Sequence, residues 1–426
     1  MTSPFSAESP RSSESTPSLS EAFLDSSSFR TRDSLPEQYR VHFDELRQSI
    51  FIFCDEFHIP VSALGNKEAF KAELTSKKIS AERMAEAVSL FERLEHLVTR
   101  GEPLKEIHSE YLEEAERLYH LREQYHTQVS LLERVGILEN GSITGIDGNQ
   151  YPIPTLDQIV ERLFSPERRK LLEIKRDQGF AKLLLVPFGM SLNALQEVLK
   201  QFLLSYKTNH PDFILNTDIP FTIWEGYQGA DTGDHPKLFY NPKPFDKEGD
   251  RQGQTKLQIL GEQRVLGQAR GDNGCAGWTI HLFQSLNTKN LDLDSPKGIA
   301  PIPRKGRGKT RGERFFRPDI EAGKTPLEYL FILEDTQDDT SFPYYGESGL
   351  TPEDWIIAFM THLQETGELL DNHGNSTESA TDLLRTFFSN SVPCAYWDCN
   401  DHMAYLRGSD VSDRYVFVGA RTSVVI

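Results

Sequence analysis

Helical periodicity in the first third of the chain constrains the fold more than any other sequence feature. Apolar residues recur at spacings of three and four along two segments, 84–98 and 104–135. Gly101 and Pro103 separate these segments, and the second is long enough for a helix of about 45 Å. Because neither helix buries its apolar stripe alone, the pattern predicts an antiparallel bundle over residues 35–135 that contains one long amphipathic helix.

The charged faces opposite these stripes leave two interpretations open. Many Glu and Arg residues lie there, which is typical of solvated helix surfaces. The alternative is a coiled coil that binds a partner, including self-association through the helical region.

The segments on either side of the bundle have other compositions. Residues 1–34 are rich in Ser and contain Pro4, Pro10 and Pro17, so we expect a disordered head. Residues 136–180 contain Asn-Gly and Asp-Gly pairs followed by two short helical patterns, at 156–164 and 167–176. We expect a linker with a hairpin and short helices there.

From residue 181 to residue 426 the pattern predicts an α+β domain. Short β-prone pieces alternate with loops rich in Gly, Pro and Asp. Thr351 followed by Pro352, Glu353 and Asp354 is a strong helix start. Further elements are predicted from the same signals: strands at 182–188, 221–224, 237–240, 278–283, 414–418 and 421–426, and helices at 192–206 and 377–388.

Overall charge and composition exclude several classes of protein. The formal net charge is −18, which repels phosphates and disfavours nucleic acid as a general partner. No apolar run approaches the roughly 20 residues of a membrane helix, and the N-terminus does not have the pattern of a secretory signal. Four cysteines do not make a disulfide framework. We expect a cytoplasmic protein without membrane contact.

One stretch, 297–317, is basic on this acidic chain. One interpretation is that this stretch binds a polyanion through six side chains: Arg304, Lys305, Arg307, Lys309, Arg311 and Arg314. The alternative is an exposed, solvated loop that pairs with the acidic body. A phosphate loop at Gly308-Lys309-Thr310 is disfavoured, because Pro303 stands where the motif needs a glycine.

The sequence contains no strong pattern of metal ligands. Asp231, Asp234 and His235 lie in a Gly/Pro setting that is also that of a turn, and Asp335, Asp338 and Asp339 look similar. Cys394 and Cys399, with His402 nearby, do not complete the ligand set of a structural zinc site. We expect no metal and no cofactor.

The C-terminal segment 388–426 has an unusual composition, because it contains no Lys, Glu or Gln. These types make up 74 of 426 residues, so 39 residues would hold about seven. Short polar and aromatic side chains replace them, as in many binding loops, although a β-rich domain end is an equal alternative. The candidate binding residues are Tyr396, Trp397, Asp398, Asn400, Asp401, His402, Tyr405, Arg407, Ser409 and Asp410. For Trp397, a position in the core is an equal alternative. We expect 396–413 to face solvent, between strands anchored by Val416, Val418, Val424 and Ile426.

This ending resembles that of C-type-lectin-like domains of the formylglycine-generating-enzyme type, and especially of target proteins of diversity-generating retroelements. The resemblance covers about 75 residues and includes a strand with Trp397, a polar loop, Gly419-Ala420-Arg421 and a terminal β run. The family usually has Gly-Phe-Arg where this chain has Gly-Ala-Arg. In the retroelement targets, adenine-directed mutagenesis of Asn-type codons yields Asn, Tyr, Asp, His, Ser, Cys and Arg but never Lys, Glu or Gln. The resemblance implies a C-type-lectin-like α+β domain, which would follow the helical N-terminal bundle that the apolar periodicity predicts.

The enzyme branch of the same family supplies the alternative function. Formylglycine-generating enzymes hold copper with two cysteines at the spacing of Cys394 and Cys399, ahead of a Gly-x-Arg. The Gly-Gly-Ser-Trp context of that pair is absent, as are the motifs of calcium-dependent sugar binding. We therefore expect a non-enzymatic protein that binds an unknown protein or surface ligand through 396–413, with a copper oxidase and a nucleic-acid-associated protein as alternatives.

Overall fold

The computed structural model describes residues 23–426 except 24, 66, 78, 102–108, 167, 234, 243–252, 271–274, 288–294, 335–338, 374–378 and 389–390. The chain divides into two compact units, residues 1–106 and 107–426. Helices and strands are both abundant in the described residues, which confirms the mixed α+β class. No helix in the described part of the chain has the length and apolar character needed to cross a membrane.

Four α-helices make up most of the described part of the first unit, with short 3-10 turns at Glu37–Tyr39 and Val61–Gly65. They are α1 (Asp25–Ser34), α2 (Arg40–Phe57), α3 (Lys67–Ser76) and α4 (Ala81–Arg100). Local signals set the ends of α4: the Ser80 hydroxyl accepts the Arg83 N–H at 3.4 Å, and Gly101 closes the helix at φ 75°.

One apolar core joins α2, α3 and α4 and includes Phe23 and Leu35, which flank α1. Phe43, Phe70 and Phe91 are each 1% exposed, and the rings of Phe70 and Phe91 stack with centroids 5.0 Å apart. Phe23, just before α1, is also buried in this core. The prediction of disorder through residue 34 is therefore wrong for 25–34, where α1 forms, because its neighbours bury enough apolar surface to offset the ordering entropy. Residues 1–22 lie outside the described residues.

The second unit contains eight described α-helices. They are α5 (Ser109–Tyr119), α6 (Leu121–Arg134), α7 (Leu156–Leu163), α8 (Arg169–Asp177), α9 (Leu192–Asn209), α10 (Lys256–Arg270), α11 (Pro326–Glu334) and α12 (Pro352–Thr366). The predicted start of α12 is confirmed, since the Thr351 N–H donates to Asp354 at 2.8 Å and the Thr351 hydroxyl accepts the Asp354 N–H at 3.2 Å.

Fourteen short strands complete the described part of this unit. They are β1 (Ser142–Thr144), β2 (Gln150–Pro152), β3 (Phe180–Val186), β4 (Phe221–Ile223), β5 (Leu238–Tyr240), β6 (Thr279–Gln284), β7 (Thr310–Arg311), β8 (Arg317–Pro318), β9 (Ala380–Asp382), β10 (Thr386–Phe388), β11 (Ser391–Asp398), β12 (Met403–Asp410), β13 (Val418–Ala420) and β14 (Val424–Val425).

These strands form two main sheets and two hairpins. The larger sheet runs in the order β13-β9-β11-β10-β5, and β12 pairs with both β11 and β4. The smaller sheet is β14-β6-β3, so the last strand of the chain pairs with β6, Val424 opposite Leu282. The hairpins are β1–β2 and β7–β8. Residues 136–180, expected as a linker, lie within the second unit, where β1, β2, α7 and α8 provide the predicted hairpin and short helices.

The predicted 45 Å helix is two helices, α5 and α6, because His120 between them adopts a left-handed φ of 46°. Both helices belong to the second unit rather than to the predicted bundle. Gln124 of α6 bonds the backbone of β3: its Nε2 donates to the Ala181 carbonyl at 2.9 Å, and its Oε1 accepts the Leu183 N–H at 2.9 Å. The Oε1 of Gln128 accepts the Leu185 N–H at 2.7 Å. These glutamines occupy the free edge of β3 where a further strand would otherwise pair.

Two predictions near the C-terminus are wrong. The helix predicted at 377–388 is β9 and β10 over its described part, because these residues pair with β11 and β5 and are nearly all buried, whereas an amphipathic helix needs a polar face. The strand predicted at 414–418 is a turn, and β13 begins only at Val418. Val416 is 68% exposed and anchors nothing, while Val418, Val424 and Ile426 are buried as expected.

Candidate functional site

The predicted binding segment is a β-hairpin rather than a loop. β11 and β12 pair antiparallel over eight residues, from Ser391 opposite Asp410 to Asp398 opposite Met403. Residues with high β propensity, such as Tyr396, Trp397 and Tyr405, favour this pairing over an irregular loop. The turn at 399–402 and residues 411–413 lie outside the strands, and the remaining candidate residues divide between two faces of a sheet.

One face carries a stacked aromatic pair and a guanidinium. The rings of Tyr396 and Tyr405 lie opposite each other with centroids 5.2 Å apart and planes at 10°. The Arg407 guanidinium lies over the Tyr396 ring at 4.9 Å from its centroid. The Tyr405 hydroxyl donates to Asp401 at 2.5 Å, and partial burial together with this bond raises the pKa of Tyr405. Stacking and hydrogen bonding therefore hold these side chains in one arrangement.

The opposite face of the hairpin belongs to the core. Trp397 is 1% exposed and packs against Phe359 and Phe213, with ring centroids at 6.1 and 5.6 Å. Ser409, on the aromatic face, is also buried. Ser409 is therefore not available to a ligand, contrary to prediction, and Trp397 lies in the core, which is one of its two expected positions. The pleat turns alternate side chains inward, and neighbouring strands cover part of the outer face.

The remaining candidates lie at the two ends of the hairpin. Asn400 and Asp401 are exposed, whereas Asp398, His402, Tyr405, Arg407 and Asp410 are partly exposed and Tyr396 is largely buried beneath its neighbours. One oxygen of Asp398 accepts the backbone N–H groups of Asn400 and Asp401 at 2.8 and 3.3 Å. Asp410 similarly accepts the N–H and hydroxyl of Ser412 at 3.0 and 2.7 Å. These carboxylates stabilise turns.

A cavity of about 420 Å³ adjoins the aromatic face. Four of the predicted residues line it, namely Tyr396, Tyr405, Arg407 and Asp410, together with Thr222, Trp224, Ser391, Leu406 and Gly408. Trp224 is 47% exposed, which is unusual for so large an apolar ring. No local sequence pattern indicates its role, because Trp224 follows β4, far along the chain from the hairpin, and joins the cavity through the pairing of β4 with β12.

The two cysteines of the copper alternative do not converge. Cys394 lies within β11 and Cys399 follows its last residue. Because a strand rises about 3.3 Å per residue, the Cα atoms of Cys394 and Asp398 are roughly 13 Å apart, with Cys399 beyond. Burial and the neighbouring Asp382 raise the pKa of the Cys394 thiol, which disfavours the thiolate that copper requires. The extended strand between the two cysteines therefore disfavours a copper site that both would share.

Asp382 lies opposite Cys394 in the register of β9 and β11 and is 1% exposed. Burial raises its pKa to about 7, against the opposing influence of the nearby Cys394 and Ser409 side chains and of the Arg407 charge. The Asp382 carboxyl, which is protonated below about pH 7, thus lies with Cys394 and Ser409 beside the aromatic face.

The basic stretch is only partly the exposed loop that the sequence predicts. Lys305, Arg307, Lys309 and Arg314 are exposed, and Arg304 and Arg311 are partly exposed. Arg317, in contrast, is buried in β8, where its guanidinium donates twice to Glu347 at 2.7 Å. The Glu347 carboxylate thus replaces solvent around the Arg317 guanidinium, although the stretch 297–317 was predicted to be an exposed loop.

The glycine-rich turn in this stretch already holds an anion of its own. The N–H groups of Gly306 and Gly308 donate to the carboxylate of Glu321 at 2.9 and 2.7 Å. The Lys309 N–H donates to Asp319 at 3.0 Å. A phosphate would compete with these carboxylates, so the turn is not a phosphate loop.

A wider cleft of about 1520 Å³ lies beside the basic stretch. Its charged lining is mixed and consists of Arg117, Arg169, Arg176, Lys309, Arg311, Arg314, Glu114, Glu173, Asp177 and Glu313. Arg311 pairs with Asp319 at 2.6 Å and Arg314 with Glu173 at 3.1 Å. Two of the six basic side chains predicted to bind a polyanion, Arg311 and Arg314, therefore pair with a carboxylate of the same chain.

Within the described part of the chain, no group of three His, Cys, Asp or Glu side chains could hold a metal ion. Asp231, considered as a ligand, is buried and pairs with Lys256 at 2.6 Å, beside Glu353 at 2.8 Å from the same amine. Burial disfavours the charge of Lys256, but the two carboxylates raise its pKa. His235 is exposed, Asp339 accepts from Ser341, and Asp234, Asp335 and Asp338 lie outside the described residues.

One buried constellation resembles the elements of a hydrolase triad. His281 contacts Ser423 through Nδ1 at 2.9 Å and Asp354 through Nε2 at 3.0 Å. The serine and carboxylate lie on the opposite nitrogens from those of a serine hydrolase, and all three side chains are essentially without solvent exposure. The three residues join β6, α12 and the segment before β14, so their arrangement is structural.

Comparison with known proteins adds no relative: no family model, no curated protein and no solved structure matches this chain.

Proposed function

We propose that this chain is a non-enzymatic binding protein that presents a ligand-binding surface on the β11–β12 hairpin of a C-type-lectin-like domain. The observation that carries the proposal is the rigid aromatic face of Tyr396, Tyr405 and Arg407 beside a cavity of about 420 Å³. Aromatic side chains supply contact area at low entropic cost, and a pre-organised face keeps more of its interaction energy as affinity.

Charge and exposure at this face support the proposal. Among the described residues, no carboxylate lies within the 4.0 Å ion-pair distance of Arg407. The exposed Trp224 ring forms the other wall of the cavity. An unpaired guanidinium between aromatic walls is the composition of a recognition site, because it offers both directional hydrogen bonds and apolar area.

The Gly-x-Arg segment supports the lectin-like part of the proposal. Arg421 is 4% exposed and donates to the Ala300 carbonyl and to Asp371. A Cβ at Gly419 would lie 2.5 Å from Ile302, so only glycine fits there. Gly419 and Arg421 thus have structural roles, which agrees with their place in the family pattern. The four helices of the first unit would act as the bundle and platform for this domain, and self-association through them belongs to the same proposal.

Affinity capture tests the proposal directly. The full chain is compared as bait with the triple variant Asn400→Ala/Asp401→Ala/Arg407→Ala and with a matched surface control, Ser130→Ala. We expect partners that the wild type and the control retain and the triple variant loses at least tenfold. Equal capture by all three baits would refute a binding role for the hairpin.

Diversification of the surface has a separate test in the surrounding DNA. We expect a near-repeat of the 3′ coding end that differs mainly at adenines, beside a gene for a reverse transcriptase. Its absence would remove the retroelement part of the proposal and leave the binding surface untouched.

A second candidate function is polyanion binding at the 1520 Å³ cleft, which Lys309, Arg311 and Arg314 line together with three further arginines. Retention on heparin should then fall steeply with salt, because phosphate-like contacts release counterions. The variant Lys309→Gln/Arg314→Gln should lose this retention, and the distant variant Lys200→Gln/Lys207→Gln should keep it. Absence of retention at low salt would exclude this candidate.

A further inference from the structure

A buried lysine in the second unit contacts two carboxylates. The Nζ atom of Lys256 lies 2.6 Å from Oδ2 of Asp231 and 2.8 Å from Oε1 of Glu353, and none of the three side chains has exposed surface. The same amine donates to the Met190 carbonyl at 2.7 Å. The cluster therefore holds a nitrogen nucleophile against two carboxyl groups, away from bulk water.

Three separate elements fix these groups. Lys256 is the first residue of α10, and Glu353 lies in the first turn of α12. Asp231 lies in a turn before β5, and its Oδ2 atom also accepts the Leu192 N–H at the start of α9, at 2.8 Å. Because two helix starts and a backbone hydrogen bond hold the side chains, the amine stays in contact with the carboxyl group of Asp231.

The number of carboxylates distinguishes this cluster from the one around another buried lysine. Lys175 contacts Glu347 at 2.7 Å, but Arg317 donates to the same carboxylate, so two cations share one anion. At Lys256 one cation faces two anions. The amine of Lys256 thus contacts one carboxylate that can react and a second that can carry protons.

Each carboxylate of the cluster has one oxygen without a hydrogen-bond partner among the described residues. These buried atoms are Oδ1 of Asp231 and Oε2 of Glu353. A buried carboxylate oxygen without a donor is costly, and a proton bound to it removes that cost. The two oxygens are therefore places that can receive a proton, and this observation is independent of the contacts to the amine.

The surroundings of the amine are aromatic. The centroids of the Phe188 and Tyr240 rings lie 5.4 and 5.6 Å from Nζ of Lys256, and both residues are buried. The Tyr240 hydroxyl donates to Oε1 of Glu353 at 2.7 Å, which orients that carboxylate. An environment that excludes water favours the loss of water from an amine and a carboxyl group, and it protects the amide that forms.

The Lys256 ammonium needs a base before it can react. Burial disfavours its charged form, but Glu353 and Asp231 favour that form, so the pKa of the amine is raised. The amine therefore keeps its proton until a base in contact with it takes the proton away. Glu353 is in contact at 2.8 Å, which leaves Asp231 as the carboxyl group that is attacked.

We propose that Lys256 and Asp231 join in an intramolecular isopeptide bond, with Glu353 as the general base that relays the protons. Glu353 takes a proton from Nζ, the nitrogen lone pair attacks Cγ of Asp231, and a C–N bond forms. A C–O bond of Asp231 then breaks, and its electron pair leaves with the oxygen. Two protons of the former ammonium end on this oxygen, which departs as water, so atoms and charge balance without an oxidant or a cofactor.

The bond would close a loop between residues 231 and 256. This loop contains β5, which belongs to the larger sheet through its pairing with β10. A covalent cross-link restricts the unfolded chain, as a disulfide does, and so stabilises the folded unit. The inference concerns the scaffold of the second unit and does not rest on the proposed ligand-binding surface.

Mass spectrometry of the full chain tests the inference. The denatured wild type should have a mass about 18 Da below the value calculated from its sequence, because one water has left, whereas Lys256→Arg should have its full calculated mass. Trypsin should cut the Lys237–Leu238 bond but not the matched Lys256–Leu257 bond. The peptides that carry Asp231 and Lys256 should appear as one branched species.

Two variants test the roles of the carboxylates. Asp231→Asn should give a linked chain of the same mass as the linked wild type, because an amide releases ammonia where an acid releases water. Glu353→Gln has a similar size and an oxygen that accepts the Tyr240 hydroxyl, but it cannot take the amine proton. Its linkage should be slower by at least about tenfold, in a variant whose circular dichroism and tryptophan fluorescence match those of the wild type.

The wild type also contains an internal control that needs no substitution. Lys182 contacts Glu365 at 2.5 Å and is buried, but it has one carboxylate partner among the described ion pairs. It should remain unlinked, so that trypsin cuts after Lys182 as completely as after Lys237.

Three results would contradict the inference. One is a wild-type chain of full mass in which trypsin cuts after Lys256 as completely as after Lys237. Another is the loss of one water without a branched peptide, which is the result of succinimide formation at Asp147-Gly148. Equal rates of linkage in the wild type and in folded Glu353→Gln would refute the role of Glu353 as the base.

Discussion

Replacement of Gln124 by methionine should destabilise the second unit more than any change at the surface of α6. The side chain of Gln124 donates to Ala181 and accepts from Leu183, both within the buried strand β3. Methionine has a similar length and no polar atoms that can form these bonds. Each buried backbone group left without a partner costs about 1–3 kcal/mol, so the two together cost about 2–6 kcal/mol.

The assay can follow the second unit alone. All four tryptophans, Trp224, Trp278, Trp355 and Trp397, lie in residues 107–426, so fluorescence during urea unfolding reports this unit and not residues 1–106. The control is Ser130→Met, an exposed position on the same helix, which should change the free energy of unfolding by less than about 0.5 kcal/mol. A Gln124→Met variant as stable as this control would show that the glutamines do not stabilise the edge of β3.

Three further predictions follow from buried groups in the second unit. Ile426→Ala should lower the free energy of unfolding by about 2–4 kcal/mol, because it leaves a cavity in the core. Val416→Ala, at an exposed turn, should lower it by less than about 0.5 kcal/mol, and equal losses for the two variants in urea unfolding would contradict this prediction. Burial raises the pKa of Asp382 to about 7, so the folded state binds the extra proton above the unfolded pKa of about 4, and stability falls as pH rises from 4 to 7. Asp382→Asn should remove up to about 4 kcal/mol of this pH-dependent loss in the free energy of unfolding. The free energy of unfolding of the variant should therefore vary less with pH than that of the wild type, and parallel curves for the two proteins would refute the prediction. Cys394→Ser should leave Cu(I) uptake unchanged, because β11 separates the Cα atoms of Cys394 and Asp398 by roughly 13 Å and Cys399 follows Asp398; stoichiometric uptake that this variant abolishes would contradict the strand geometry.

The candidate site was partly predictable because its main residues are neighbours along the chain. Tyr396, Tyr405 and Arg407 come from one segment of unusual composition, and strand pairing brings them to one face. Trp224 was missed because β4 pairs with β12 across about 180 residues of sequence, and no local pattern signals that contact. Ser409 was expected at the surface, and Trp397 either at the surface or in the core, because a segment without a recognised strand pairing carries no information on which side chains point inward.

The sequence by itself determined the helical character of residues 36–100, the α+β mixture that follows, the start of α12 at Thr351 and the burial of Val424 and Ile426. These features depend on capping residues and on apolar periodicity, which act over a few neighbouring positions. Only the tertiary structure decided that residues 109–134 form two helices packed on β3, that 380–388 are strands, and that Trp224 lines the cavity beside β12. Each of these depends on hydrogen bonds or packing between residues distant in the chain, where pairing with a partner outweighs local propensity.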